Sequence, residues 1–295
     1  MHKVAIYTRV NQREQLNVLR YCIRAFHRHD FQCYLPEEIY VFLKSEMFNN
    51  IATLPYQKGD LKEGEMDYIV SIGGDGTFLA TLPIQNGKNI PVLGVNAGRL
   101  GFLANVQMQE LDQALHQLKH HQYTIQERSL LYFKNGGDYF ENFPFALNDF
   151  TIHKHESTSM LQIDVAIDGE PLNHYWSDGI VLATHTGSTA YSLSCGGPIL
   201  FPNAKSVVLT PVAPHHLNIR PVIIPDSQII SFKVRGRASR YLVSLDDRFA
   251  ILDETKPLHL TLAPFYMKTI LLNGKSFIAS LREKLVWGQD SRKKL

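Results

Sequence analysis

An apolar run, Asp67-Tyr-Ile-Val70, leads directly into Ser71-Ile-Gly-Gly-Asp-Gly-Thr77, and a helix-like run, Thr77-Phe-Leu-Ala-Thr-Leu82, follows. Three glycines and a carboxylate at the end of a buried strand make a poor core but a good binding turn. Glycine lets a backbone come close to a ligand. The helix that follows points free N–H groups and its positive dipole end at whatever sits there, and a phosphate fits that description. Asp75 adds a negative group that a simple phosphate cradle would not carry, so the turn also implies a hydroxyl, a metal or a proton. It lacks the Gly-Lys-Ser/Thr ending of a Walker A loop and the G-x-G-x-x-G spacing of a dinucleotide fingerprint.

Around this turn strands alternate with helices. Strands are expected over 4–8, 31–35, 68–72 and 90–95. Leu16, Leu19, Ile23 and Phe26 repeat at helical spacing behind a capping box of Asn11 and Glu14. Pro36-Glu-Glu38 starts a second helix with Ile39, Leu43 and Met47 as its stripe. Leu111, Leu115 and Leu118 mark a third. The pattern argues for a parallel, doubly wound sheet, whose ligands sit at the carboxyl ends of the strands. The glycine turn and Asn96-Ala-Gly-Arg-Leu-Gly-Phe102 both fall there.

Farther on, strands and turns take over. Leu161, Ile163, Val165 and Ile167 alternate up to a turn at Asp168-Gly169. Tyr241 to Leu245 and Phe249 to Leu252 flank Asp246-Asp247 as a hairpin, and strands follow over 258–262 and 267–272. Ser276 caps a last helix with Phe277, Leu281 and Leu285 on one face. The expected organisation is an α/β domain over 1–121, a β-rich domain over 122–272, and a C-terminal helix in 273–295 packing back on the first domain.

Composition excludes several classes. The 295 residues are 44% hydrophobic and 20% charged, enough for a large core. A net charge of +2 gives no reason to expect nucleic acid or an anionic membrane. No run approaches the roughly 18 apolar residues of a membrane span. Cys22, Cys33 and Cys195 are too few and scattered for a disulfide framework or a zinc ribbon. The first eight residues are too short for a signal-peptide core. A cytoplasmic protein is expected, without nucleic-acid or membrane partners.

Two further segments carry chemistry. Asp178-Gly179 begins a buried strand over 180–183, which runs into a loop with hydroxyls at 184, 186, 188, 189, 191, 192 and 194. Hydroxyls donate and accept, so such a loop suits ribose, adenine edges or phosphate oxygens. No serine there sits in G-x-S-x-G, which excludes a hydrolase elbow. In Ala146-Leu-Asn-Asp-Phe-Thr-Ile152, Asn148 and Asp149 are polar groups inside an apolar stretch. Burying them unpaired would cost several kcal/mol, so they need partners or a ligand. His153 and His155 alternate, but no third ligand at metal spacing accompanies them, and no protein-held metal is expected.

Together, GGDGT, NAGRLGF, ALNDF, the 178–198 segment and Thr210-Pro-Val-Ala-Pro-His215 resemble the NAD kinase family of bacterial type, in order and spacing. The resemblance implies ATP-dependent phosphorylation of the 2′-hydroxyl on the adenosine ribose of NAD, giving NADP, with a divalent cation, Mg²⁺, on the ATP phosphates. It implies that Asp75 engages the reacting hydroxyl, with Gly73, Gly74 and Gly76 forming the turn. Phe102 resembles the aromatic against the adenine, Asn148 the reader of its edge, and Asp149 the acid on ribose hydroxyls. Asp178, Thr186, Thr189, Ala190, Tyr191, Ser192, Leu193 and Ser194 resemble the NAD-contacting loop, and Ala213 a further lining position. It also implies a homodimer or homotetramer whose neighbouring subunit completes the NAD site. Four positions depart from the common pattern: Asp149 stands for Glu, His185 for Pro, Trp176 for Arg and Arg248 for Gln. A GGDG-type lipid or other alcohol kinase, and a non-catalytic dinucleotide sensor, are the competing readings.

Overall fold

The computed structural model describes residues 1–9, 13–45, 52–57, 61–98, 101–155, 159–235, 240–253 and 256–286. The expected capping residue Asn11 and the stripe residue Met47 lie outside them. The chain divides into two units, Met1–Glu127 with Met267–Leu295, and Arg128–Tyr266.

The first unit is built on one sheet. Its strands run in the order Thr53–Tyr56, Phe31–Pro36, His2–Thr8, Tyr68–Gly73, Val92–Asn96, Met267–Leu272 and Tyr123–Arg128, and Val106–Gln107 also pairs with Val92–Asn96. From the first of these through Met267–Leu272, each pairs with its neighbour in parallel. Such strands are covered on both faces, which is why Val4, Ala5, Ile6, Ile69, Val70, Val92 and Leu93 read as unbroken apolar runs. The helix Arg13–Arg28 buries Leu16, Leu19, Ile23 and Phe26, and Leu111–Lys119 buries Leu111, Leu115 and Leu118. The strand order reverses between His2–Thr8 and Tyr68–Gly73. The chain first winds outward through Phe31–Pro36 to Thr53–Tyr56, then returns to the other side of His2–Thr8. That switch point is the natural binding crevice of a doubly wound sheet, and the glycine turn leaves the sheet there.

Three expectations are corrected. The strand Met267–Leu272 belongs to the first unit's sheet, not to the β-rich domain, and so do residues 122–127. The final helix, Phe277–Lys284, falls in the first unit as expected, capped by Ser276 Oγ, which accepts the Ala279 N–H at 3.1 Å. The single helix-like run after the glycine turn is two short helices, Asp75–Leu79 and Leu82–Gln85. Pro83 has no N–H with which to continue the ladder, so a helix restarts around it. The short strand Thr53–Tyr56 was not expected, since it holds four residues, one of them Pro55, and lies at the sheet edge where proline is tolerated.

The second unit is a sandwich of two six-stranded sheets. One runs Val222–Pro225, Ser206–Val212, Gly179–Ala183, Asp149–Lys154, Tyr241–Leu245 and Arg248–Leu252, all antiparallel. The other runs Glu170–Ser177, Leu161–Ile167, Ile230–Arg235, Leu258–Leu262, Leu131–Phe133 and Phe145–Ala146. Phe150 of the first sheet meets Phe133 and Phe232 of the second, with ring centroids 5.4 and 5.6 Å apart. The hairpin at Asp168-Gly169 closes through two left-handed residues, φ 49° and 87°, which aspartate and glycine tolerate.

Candidate active site

Asp75 begins the short helix after the turn, and its carboxylate accepts three backbone N–H groups. Oδ2 accepts the Phe102 N–H at 2.6 Å, and Oδ1 accepts those of Leu103 and Ala104, each at 2.9 Å. Sequence placement makes this possible. Gly94 is bare where a Cβ would lie 2.6 Å from Ala104 Cα, and the Asn96 amide donates to the Ala104 carbonyl at 3.3 Å. A Cβ on Gly101 would stand 1.9 Å from Asp75 Oδ1, so that glycine makes room for the carboxylate. Gly73 is likewise packed, since a Cβ there would lie 2.3 Å from Thr77 Oγ1. Gly74 and Gly76 differ: a Cβ on either meets nothing within 4 Å, so the fold itself does not require them bare. A carboxylate has about four lone-pair positions. Three are taken, and one on Oδ2 is left for a hydroxyl donor.

In the second unit a second aspartate repeats the device. Asp246 turns the hairpin between Tyr241–Leu245 and Arg248–Leu252 with φ 55°. Its Oδ2 accepts the Leu147 N–H at 2.8 Å, and its Oδ1 accepts those of Asn148 and Asp149 at 2.7 and 3.3 Å. This fixes the backbone from which Asn148 and Asp149 project. The Asn148 carboxamide and the Asp149 carboxylate make no hydrogen bond among the described residues, although Asp149 is only 6% exposed. Burial, and then the nearby Asp246, push the Asp149 carboxyl up to about 7. Burial pushes Asp246 up to about 6, against the opposing effect of its backbone donors and Arg248.

The loop after Gly179–Ala183 divides in two. Thr184, Ser188 and Ser192 are completely buried and turned into the fold. Thr184 Oγ1 donates to the Leu147 carbonyl at 2.6 Å, Ser188 Oγ to that of His185 at 2.7 Å, and Ser192 Oγ pairs with Thr210 Oγ1 at 2.9 Å. Ser192 was expected to contact ligand, and its side chain has no access to one. Gly187 is required by packing, because its Cβ would lie 2.0 Å from the Asn148 carbonyl oxygen. Thr186 Oγ1 accepts from Arg128 at 3.3 Å, and Thr189 Oγ1 donates to the Thr186 carbonyl at 3.2 Å. Ala190 turns the loop, Leu193 is half-buried, and Tyr191 and Ser194 face solvent. The Tyr191 ring lies 5.5 Å from that of His153, whose imidazole is kept below its ordinary range mainly by burial. Asp178 is tied to Lys154 at 2.7 Å. Ala213 is exposed and holds φ 46°, a left-handed conformation that costs a residue with a Cβ about 1–2 kcal/mol. His185, in place of a proline, is buried with Nδ1 3.2 Å from Ser129 Oγ, and burial drops its imidazole to about 4.

Sequence reading missed Asp246, Gly101 and Arg128. Asp246-Asp247 was legible only as a turn, and Gly101 only as part of the motif holding Phe102. Among the described residues no group of three His, Cys, Asp or Glu side chains could hold a metal ion.

The first unit thus carries an anchored carboxylate beside a glycine turn at a switch point, and the second a buried acid and a carboxamide on a β-sandwich, and the comparisons place a chain so built among the two-domain kinases. Residues 5–123 match the ATP-NAD kinase N-terminal domain and 147–270 the ATP-NAD kinase C-terminal domain. The NAD kinase of Flavobacterium psychrophilum is 38% identical over 296 residues, covering 98% of this chain and 99% of its own. That of Bacteroides fragilis is 38% identical over 290 residues, with the same coverage. Two solved structures share the fold. Yeast NADH kinase complexed with NADH has a TM-score of 0.82 at 24% identity, over 98% of this chain and 89% of that one. An NAD kinase from Archaeoglobus fulgidus in complex with ATP has 0.71 at 19%, over 96% and 97%. The chain belongs to the ATP-NAD kinase family.

The two raised carboxyls set a pH dependence. An unfolded aspartate titrates near pH 3.9, so between about pH 4 and 7 the folded state binds more protons than the unfolded one. Stability from Asp149 and Asp246 is therefore full below about pH 4 and is lost as pH rises through 6 to 7. His185, with a depressed imidazole, acts in the opposite sense as pH falls. Comparing the parent with Asp149→Asn cancels that opposing part. Urea unfolding from pH 4 to 8 should show the variant gaining on the parent by a few kcal/mol across this window, an order-of-magnitude figure from the linkage relation.

Proposed function

We propose that this kinase transfers the γ-phosphate of ATP to the 2′-hydroxyl on the adenosine ribose of NAD, giving NADP. The observation that carries the reading is the Asp75 carboxylate, fixed by three amides with one lone pair open. The attacking 2′-oxygen forms the new bond to the γ-phosphorus, the bond from that phosphorus to the β,γ-bridging oxygen breaks, and ADP leaves. The hydroxyl proton passes to Asp75. A carboxylate is a weak base for a sugar hydroxyl, and general-base catalysis typically supplies about 10²–10⁴-fold. Phosphoryl transfer depends chiefly on positioning and charge stabilisation. Asp75 therefore orients the hydroxyl first and accepts its proton late.

Gly74 and Gly76 keep the backbone open to phosphate oxygens, and the first N–H groups of the short helix remain without helical partners. The donor is the magnesium complex of ATP. A divalent cation on that complex would be held chiefly by the triphosphate and water. It supplies neutralisation of phosphate charge. Asn148 reads the adenine edge with its uncommitted carboxamide. Asp149, buried and uncommitted, takes ribose hydroxyls, and Thr186, Thr189 and Tyr191 line the same dinucleotide. NADH and ATP in the two related structures are ligands of the kinds this reading needs. The reading extends to a cytoplasmic homodimer or homotetramer whose neighbouring subunit completes the NAD site.

Incubated with NAD, ATP and Mg²⁺, the protein should form NADP. Asp75→Asn should keep NAD affinity within a few-fold while kcat falls by about 10²–10⁴-fold. Near-parent turnover would remove Asp75 from the chemistry. Asn148→Ala should weaken NAD binding about tenfold by calorimetry, at the upper end of a neutral hydrogen bond's net contribution. An unchanged dissociation constant would contradict the adenine assignment.

A further inference from the structure

The glycine turn has no lysine of its own, and a cation reaches this part of the first unit from the far end of the chain. The final helix, Phe277–Lys284, is anchored by Leu281, which is 4% exposed. Lys284 lies three residues further on, on the same face. Its Nζ is withdrawn from solvent and stands 4.1 Å from the centroid of the Phe102 ring. Phe102 in turn supplies the shortest of the three bonds to Asp75, at 2.6 Å. The chain of contact thus runs from the last helix to a ring, from that ring's own residue to a backbone N–H, and from the N–H to the catalytic carboxylate.

We infer that Lys284 is a positioning residue for phosphoryl transfer: its ammonium over Phe102 pins segment 101–104 and so holds the Asp75 carboxylate in its reacting orientation. The inference rests on the kinase reading above for its catalytic consequence, but not for its physical one. A cation over an aromatic face is attracted by the ring quadrupole, and more strongly when desolvated. Gly101 has no side chain with which to pack, so the ring of Phe102 is the first handle by which the segment can be fixed from outside. The conformational freedom that Gly101 gives the segment is thereby restrained where the carboxylate needs it still.

Lys284→Met keeps the apolar stem and removes the charge, and Lys284→Arg keeps the charge. Hydrogen exchange reads the physical claim without any substrate. In Lys284→Met the amides of Phe102, Leu103 and Ala104 should exchange at least about tenfold faster, while those of Ile69 and Val70 keep the parent rate. The same variant should lose about 5- to 30-fold in kcat/KM for NAD, the fold-change equivalent of a partly to well desolvated cation–π contact. Lys284→Arg should restore most of both. In a Phe102→Leu background, Lys284→Met should produce little further loss. Parent-rate exchange at 102–104 in Lys284→Met overturns the inference. So does an equal kinetic loss with Phe102 present and with it replaced. Should the parent form no NADP, the kinase reading falls and the exchange arm alone decides the role of Lys284.

Discussion

A carboxylate gripped by three consecutive backbone amides is the constraint on which the geometry of the first unit's glycine turn depends. Asp75 could not hold that position on side-chain packing alone, because it starts a helix only five residues long. The Phe102, Leu103 and Ala104 amides fix both oxygens, and the fixing needs Gly94 and Gly101 to be bare. Preorganisation of this kind reduces the reorganisation required at the moment of reaction. It also explains how one acid can sit within a glycine turn at a helix start. Its charge is directed at N–H dipoles, and a single lone pair is left for a further donor. The topological switch supplies the rest: Thr8 Oγ1 donates to the Ile72 carbonyl at 2.8 Å, tying the two strands together where the sheet order reverses.

The second unit uses the same physics to fix the backbone that carries Asn148 and Asp149. Asp246 gathers the amides of residues 147–149, so that Asn148 and Asp149 leave a rigid backbone with their own polar groups uncommitted. Burial, and after it the nearby Asp246, raises the cost of ionising Asp149 and puts its carboxyl near neutrality. An acid poised there can accept or donate toward sugar hydroxyls. The strained Ala213 points the same way, since a left-handed alanine at the end of a regular strand is maintained at an energetic cost.

Local periodicity made much of the fold legible. The alternation of strand and helix, the Asp168-Gly169 turn, the hairpin at Asp246 and the capped last helix all follow from spacing and turn chemistry. The partner of the strand Met267–Leu272 did not. It pairs with Val92–Asn96, and nothing in its own residues names a neighbour some 175 positions away. The site was legible as residue types and less so as contacts. Asp75, Asn148 and Asp149 stood out as polar groups in apolar company. The amides that hold Asp75 lie 27 to 29 residues off in sequence and carry no side-chain signal, and the Asp246 carboxylate that holds the backbone of Asn148 and Asp149 lies 97 to 98 residues off. The hydroxyl-rich loop was read as a ligand-binding loop with Ser192 among its contacts, but Thr184 and Ser188 bond the backbone around them and Ser192 pairs with the Thr210 hydroxyl. Serine and threonine have the same signature in both roles.

The central claim is that Asp75, while held by three amides, addresses the acceptor hydroxyl of NAD. A crystal structure of the protein with NAD bound tests it most directly. The account predicts the adenosine 2′-oxygen within hydrogen-bond reach of the Asp75 carboxylate, about 2.6–3.2 Å, with the bonds from Phe102, Leu103 and Ala104 intact. A ribose whose 2′-oxygen lies beyond that reach, or an Asp75 side chain turned away from those amides, would contradict it.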